Sequence, residues 1–122
     1  MIYLPKQIPN VSAQAIDALS PAFDRSHVLL AGDWLYRCGK DLAQLWRNGE
    51  LWAITEVQDT KDGRALHIVA CAGEYDNGEL LAEIEGWAKA IGCADSFFTG
   101  RRGWAKKLPG YTIETITMKK GL

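Results

Sequence analysis

Histidine is scarce in this 122-residue chain: there are two, His27 and His67, and they stand far apart. The three cysteines, Cys38, Cys71 and Cys93, are scattered and show no C-x-x-C spacing. These gaps exclude the clustered ligands of a structural zinc site, so no metal is expected. An odd, dispersed set of cysteines in apolar surroundings points instead to free thiols in a reducing compartment. Charge of one sign is also lacking. Fourteen Lys and Arg face fifteen Asp and Glu, for a net charge of −1 and a pI near 6.1. No global positive field draws such a chain onto DNA or anionic lipid, and any anion site has to be local. No apolar run approaches the ~20 residues of a membrane span, and "MIYLPKQIPN" has neither the basic start nor the apolar core of a signal peptide. The expected location is the cytoplasm, with no membrane partner. A P-loop, a G-x-S-x-G elbow, an H-E-x-x-H helix and a dinucleotide G-x-G-x-x-G box are missing too.

Apolar material is plentiful. A hydrophobic share of 48% and five tryptophans are enough for one core. The length fits a single domain over 1–122, since domains commonly run to about 100 to 150 residues. Such a chain is expected to fold alone or as a homodimer. Residues 1–30 are the part least defined by pattern. Within them, "NVSAQAIDALSPAF" offers Ser12 as an N-cap, Ile16 and Leu19 as a small apolar face and Pro21 as a stop, which predicts a short helix. "GDWLYRCGKDLAQLWRNG" then places Leu35, Cys38, Leu42, Leu45 and Trp46 at helical spacing. That predicts one helix, breakable at Gly39 and closed by Asn48-Gly49.

"ELWAITEVQD" alternates with a period of two and predicts a strand. "TKDGR" carries Asp62-Gly63, suited to a tight turn with positive φ, and "ALHIVACA" follows as a near-continuous apolar run. The two runs predict an antiparallel hairpin whose second strand is central and buried on both faces. "EYDNGELLAEIEGWAKAIGC" is the clearest helix: Leu80, Ile84, Trp87, Ala88 and Ile91 form one stripe, Asp76 and Glu79 have capping-box spacing, and Gly92 supplies a left-handed stop. A short strand at "CADSFFTG", a two-turn helix at "RRGWAKKL" and a last strand at "YTIETITMKK" complete the order. The strand after the long helix can pair parallel to the central one through a right-handed crossover. The fold class is therefore α/β, with a mixed central β-sheet flanked by α-helices.

That order and the residues on it resemble the GNAT (N-acetyltransferase) superfamily, the acyl-CoA N-acyltransferase fold, and in particular small phage-encoded GNAT-like proteins. The resemblance runs from about Asp33 to Leu122. It is carried by "GELWAITEV", by "ACAGEYDNGELLAEIEGWAKAIGCADSFFTGRRGW" and by "LPGYTIETITMKKGL". Within these, Ala88-Lys89, Gly92-Cys93, Gly100-Arg101-Arg102-Gly103-Trp104 and Gly110-Tyr111 match the group's pattern. The resemblance implies acetyl-CoA as cofactor, its pantetheine lying between the central strand and the strand after the long helix. It also implies that the pyrophosphate lies over the long helix's N-terminus, where free N–H groups and the helix dipole favour anions. The residues in those positions are Cys71, Gly73, Asn77, Gly78 and, from the second box, Arg101.

The resemblance assigns no catalytic residue outright. Where the family commonly has a tyrosine acid, four residues before Gly110, this chain has Lys106. For a base, Glu56 and His67 on the hairpin are the candidates. Two readings stay open. The first is an acyl-CoA-dependent N-acetyltransferase of phage or prophage origin, acting on a small-molecule or protein amine. The second is a non-catalytic phage structural, virion-associated or interaction protein on the same fold, which the two acids of "EYDN" and the absent tyrosine favour. Nucleic-acid binding through Arg101, Arg102, Lys106 and Lys107 is the weaker third, against the near-neutral charge.

Overall fold

The computed structural model describes residues 1–23, 30–100, 102–111 and 120–121. A 3₁₀ turn, Pro5–Gln7, leads directly into α1, Ile8–Phe23. Ser12 is thus inside the helix rather than at its cap, and its hydroxyl donates to the Ile8 carbonyl at 2.9 Å. Pro21 does not stop α1 either: the helix runs on to Phe23, which is buried with Leu19 against the sheet. Packing of that face outweighs the poor helix propensity of one proline near the end.

The second helix, α2, spans Ala31–Gly39 and buries Trp34, Leu35 and Cys38. It is half the length the spacing suggested. Asp41 takes a left-handed φ of 60°, and the chain re-emerges as strand β1, Gln44–Asn48. "LAQLW" satisfies a helical stripe and a short strand equally. Pairing decides, because as a strand Leu45 and Trp46 point to opposite faces of the sheet and both are buried. The Asn48-Gly49 pair is accordingly no helix end. Gly49 and Glu50 form the turn of a hairpin to β2, Leu51–Thr60, with Gly49 at φ 60° in the first central position.

β2 and β3, Gly63–Ala72, form the expected antiparallel hairpin. Its turn residues are Lys61 and Asp62, and Gly63 opens β3 instead of lying in the turn. β3 is central, as expected, but the strand covered on both faces is the first half of β2, where Leu51 to Thr55 are all buried. Ile54 pairs with Ala70 and Thr55 with Ile68, so Val69 is the extra residue of a β-bulge. The long helix α3, Glu79–Ala90, is followed by Gly92 at φ 90° and then by β4, Cys93–Phe98. β4 pairs parallel to β3, which gives the sheet order β1-β2-β3-β4. The amide of Tyr3 and the carbonyl of Met1 bond β1 from its outer edge.

Two apolar layers cover the sheet. Ala15, Leu19, Trp34 and Leu35 from α1 and α2 pack over Trp52 and Ile54 on one face. Leu80, Ile84 and Ala88 from α3 pack over Ala53, Leu66 and Ile68 on the other. On the α3 face, Trp46 donates through Nε1 to Thr55 Oγ1 at 2.9 Å, and that fully buried hydroxyl donates to Gln44 Oε1 at 2.8 Å. A buried polar group is thereby satisfied in both roles. The predicted two-turn helix after β4 is a 3₁₀ turn, Arg102–Lys106. The predicted last strand, 111–120, lies outside the described residues except for its two ends, Tyr111 and Lys120.

Candidate active site

Parallel pairing of β3 with β4 runs from Arg64 opposite Cys93 to Ile68 opposite Phe98. One more bond joins the strands, from the Thr99 N–H to the Ile68 carbonyl at 3.1 Å. Beyond it, among the described residues, β3 continues through Ala70 to Ala72 with β2 on one side and no strand on the other. The bulge at Val69 stands at the point of parting. A bulge turns a strand and re-aims its side chains, and bulges are common beside active sites. β4 itself ends at Phe98, so the pairing stops there and leaves a gap beside β3, lined on one side by an extended backbone edge.

The first turn of α3 faces this gap. Asn77, at φ 62°, and Gly78, at φ 85°, both take left-handed conformations as the chain enters the helix. Asn and Gly are the residues that adopt this region at least cost. Asp76 caps the turn: its carboxylate accepts from the Leu80 N–H at 2.8 Å, from the Gly78 N–H at 3.1 Å and from Asn48 Nδ2 at 2.7 Å. Burial alone raises the Asp76 pKa, yet the bonds from Asn48 and the two amides outweigh it and hold the carboxyl below its ordinary value. The capping box expected from Asp76 and Glu79 does not form: the helix is entered through Gly78, Asp76 bonds the Gly78 and Leu80 amides rather than that of Glu79, and Glu79 instead accepts from Asn48 Nδ2 at 3.1 Å. Gly73, at φ 118°, has a separate packing role: a Cβ there would lie 1.9 Å from the Glu50 carbonyl oxygen.

On the α3 face of the gap the lining is apolar: Ile68, Cys71, Tyr75, Phe98, Trp104 and Leu108 enclose a cavity of about 30 Å³, room for about two waters. Trp104 packs edge-on to Tyr75 at 6.2 Å and tilted against Phe98 at 5.9 Å. Lys107 places its ammonium over both Tyr75 and Trp104, at 5.2 and 5.4 Å. Lys106, its neighbour, is exposed on the 3₁₀ turn. Burial and the nearby Asp76 charge push the Cys71 thiol up to about 12, so it is protonated at neutral pH and is no nucleophile. Arg101 lies outside the described residues.

The opposite face carries the polar groups. Glu56 on β2 and His67 on β3 are cross-strand partners. His67 Nδ1 lies 3.2 Å from Glu56 Oε1, and His67 Nε2 lies 2.9 Å from Thr99 Oγ1. Phe97 stacks on the imidazole at 4.5 Å and 13°. Glu56 also accepts from Gln58 Nε2 at 2.7 Å and faces the Arg37 guanidinium at 4.0 Å. Sequence reasoning set Glu56 and His67 opposite one another on the hairpin, and the register pairs them. It missed Thr99, whose place depends on a parallel register that no local pattern carries. Its only sequence signal is a hydroxyl at the end of an apolar strand. Among the described residues no three His, Cys, Asp or Glu side chains converge as a metal site, and no helix is long and apolar enough to cross a membrane.

Two features bear on whether an acyl-CoA suits these residues. The free edge of Ala70 to Ala72 suits an extended, amide-bearing arm, which can bond to it as an added strand does. The first turn of α3 suits an anion, since its N–H groups already hold the Asp76 carboxylate. Asp76 is thus a resident competitor for a diphosphate, and Trp104 bounds the space left for the arm.

No protein-family model and no curated protein sequence matches the chain. Solved structures do. An aminoglycoside acetyltransferase from an uncultured soil metagenomic sample, crystallised with sisomicin, superposes with a TM-score of 0.69 at 9% identity, covering 100% of this chain and 94% of that one. The ribosomal-protein-alanine N-acetyltransferase of Brucella melitensis biovar Abortus 2308 gives 0.64 at 10% identity, with 99% and 97% covered. A predicted acetyltransferase from Clostridium acetobutylicum, solved with acetyl-CoA, gives 0.57 at 15% identity, with 99% and 94% covered. At these identities the likeness establishes the fold: this is the GNAT acyltransferase architecture.

Proposed function

We propose that the protein is an acyl-CoA-dependent N-acetyltransferase whose acceptor is a small-molecule or protein amine. The observation that carries this reading is the edge of β3 left without a strand partner beyond the end of β4, among the described residues, beside the Val69 bulge and the first turn of α3. Fold alone does not imply activity, so the reading rests on this geometry. The edge of Ala70 to Ala72 would hold the pantetheine amides. Cys71, Gly73, Asn77 and Gly78 shape the loop toward the diphosphate, and Arg101 is proposed to add a phosphate contact. When bound, acetyl-CoA supplies a thioester carbonyl open to attack by a neutral amine. The chain's own part is to fix the two reactants in reach of one another, to donate backbone N–H groups toward a developing oxyanion and to accept the acceptor's proton. Glu56 is proposed to face the acceptor. Lys106 remains the proposed acid for the departing sulfur. A cytoplasmic location and, through the resemblance, a phage or prophage source are proposed with this reading.

Calorimetric titration with acetyl-CoA tests it. Saturable binding is expected, and by mass action a hundredfold excess over Kd should stabilise the fold by about 2.7 kcal/mol. No heat and no thermal shift under conditions that reveal a Kd of about 1 mM, about −4 kcal/mol, would remove the enzyme reading in favour of a non-catalytic role on the same fold.

A further inference from the structure

The arrangement of Thr99, His67 and Glu56 is a hydroxyl, an imidazole and a carboxylate joined in that order, ending at the point where the strands part. The hydroxyl end is exposed, while the His67 and Glu56 side chains keep 16% and 19% of their surface. Each member is held independently of the others. The Thr99 amide is tied to the Ile68 carbonyl. Phe97 stacks on the His67 ring, and Gln58 and Arg37 fix the Glu56 carboxylate. A solvated surface histidine needs none of this. A chain with an accessible end at a reactant gap and a charged, braced far end is what proton transfer requires.

The geometry points to a proton relay in which Thr99 is the contact residue for the acceptor amine, His67 stores the proton and Glu56 orients the imidazole. This rests on the acetyltransferase reading and names the group that acts on the acceptor. The ammonium form of the acceptor gives one N–H proton to Thr99 Oγ1 as the Thr99 hydroxyl proton passes to His67 Nε2. The imidazolium so formed faces Glu56 through its Nδ1–H, which stabilises the charge. The amine nitrogen recovers its lone pair and attacks the thioester carbon. The N–C bond forms and the C–S bond breaks; the sulfur takes its proton from Lys106, the nitrogen's second N–H proton passes to solvent, from which Lys106 is recharged, and His67 returns its proton to solvent. Thr99 is thus a catalytic residue and Glu56 a positioning residue.

Two measurements on the full chain test the relay. The first needs no ligand: ¹⁵N-resolved NMR of the His67 ring at neutral pH. The relay requires an unprotonated Nε2 that accepts from Thr99 and a protonated Nδ1 that donates to Glu56. The opposite tautomer would overturn it. The second is steady-state acetylation of sisomicin and of a lysine-containing peptide by acetyl-CoA. Thr99→Val and His67→Ala are expected to lower kcat by about 100-fold or more, with acetyl-CoA binding and the melting temperature kept. Thr99→Ser should retain most activity, and free imidazole should partly rescue His67→Ala. An active parent whose kcat survives Thr99→Val contradicts the relay alone. A parent that binds no acetyl-CoA and acetylates neither amine removes the enzyme reading and the relay with it.

Discussion

At the point where β3 and β4 part, the two faces of the sheet differ by one residue in sequence and by nearly everything in chemistry. His67 and Phe97 lie on the face that α1 and α2 cover and join a polar chain with Glu56 and Thr99. Ile68 and Phe98, the next residues, turn toward α3 and line an apolar cavity with Trp104. Strand alternation makes this division inevitable once the register is set. The difference separates tasks: one face holds titratable groups in satisfied bonds, and the other is shaped by packing and by the helix terminus. On this account, damage to the α3 face costs stability or donor binding, whereas damage to the α2 face costs turnover.

The largest stability effect is expected from Leu66→Ala, which removes a fully buried side chain on the α3 face. A loss of about 2–5 kcal/mol is expected by urea denaturation. A loss below about 1 kcal/mol would show that α3 does not close this face. Thr55→Val comes next, because it leaves the buried Trp46 Nε1 and Gln44 Oε1 without their shared partner, at about 1–3 kcal/mol. Gly73→Ala should cost more than about 1 kcal/mol, since its φ is positive and its Cβ would meet the Glu50 carbonyl. A silent substitution there would mean the loop is free to move, and would reopen a direct role for Gly73 in holding a ligand.

Asp76→Asn gives the smallest stability change and the sharpest test of the α3 face. Loss of a charge from the helix N-terminus should lower stability by about 0.3–1 kcal/mol while strengthening acetyl-CoA binding, because a like charge leaves the diphosphate's place. Opposite signs in the two measurements are the signature. If both fall together, Asp76 is a cap and not a competitor. The pH dependence has a fixed sign. The folded carboxyl is held below its ordinary value, so its contribution is present above the unfolded pKa of about 3.9 and is lost as pH falls through the lower folded value. The melting-temperature gap between parent and Asp76→Asn should therefore close in acid.

Much of this division was legible in the residues themselves. The stripe of α3, its Gly92 stop and the β2–β3 hairpin follow from periodicities of 3.6 and 2 that no neighbour has to supply. β1 was not legible, because Leu42, Leu45 and Trp46 suit a helix until pairing with β2 shows that Leu45 and Trp46 must part. Pro21 misled in the same way, since the burial of Leu19 and Phe23 overrides a local stop. Of the site, Glu56 and His67 stood out by residue type. Thr99, the Asp76 carboxylate on the helix amides and the Trp104 wall depend on which strands meet and where they separate, and that is settled only by the assembled sheet.

The central claim is that the gap beyond Ile68 and Phe98 receives an acyl-CoA along the edge of β3 and over the first turn of α3. Amide chemical-shift mapping during an acetyl-CoA titration tests it most directly. The account predicts that resonances of Ala70 to Ala72 and of Asn77 to Leu81 move with one saturating curve while those of α1 stay in place. Shifts confined elsewhere, or none at all, would contradict it.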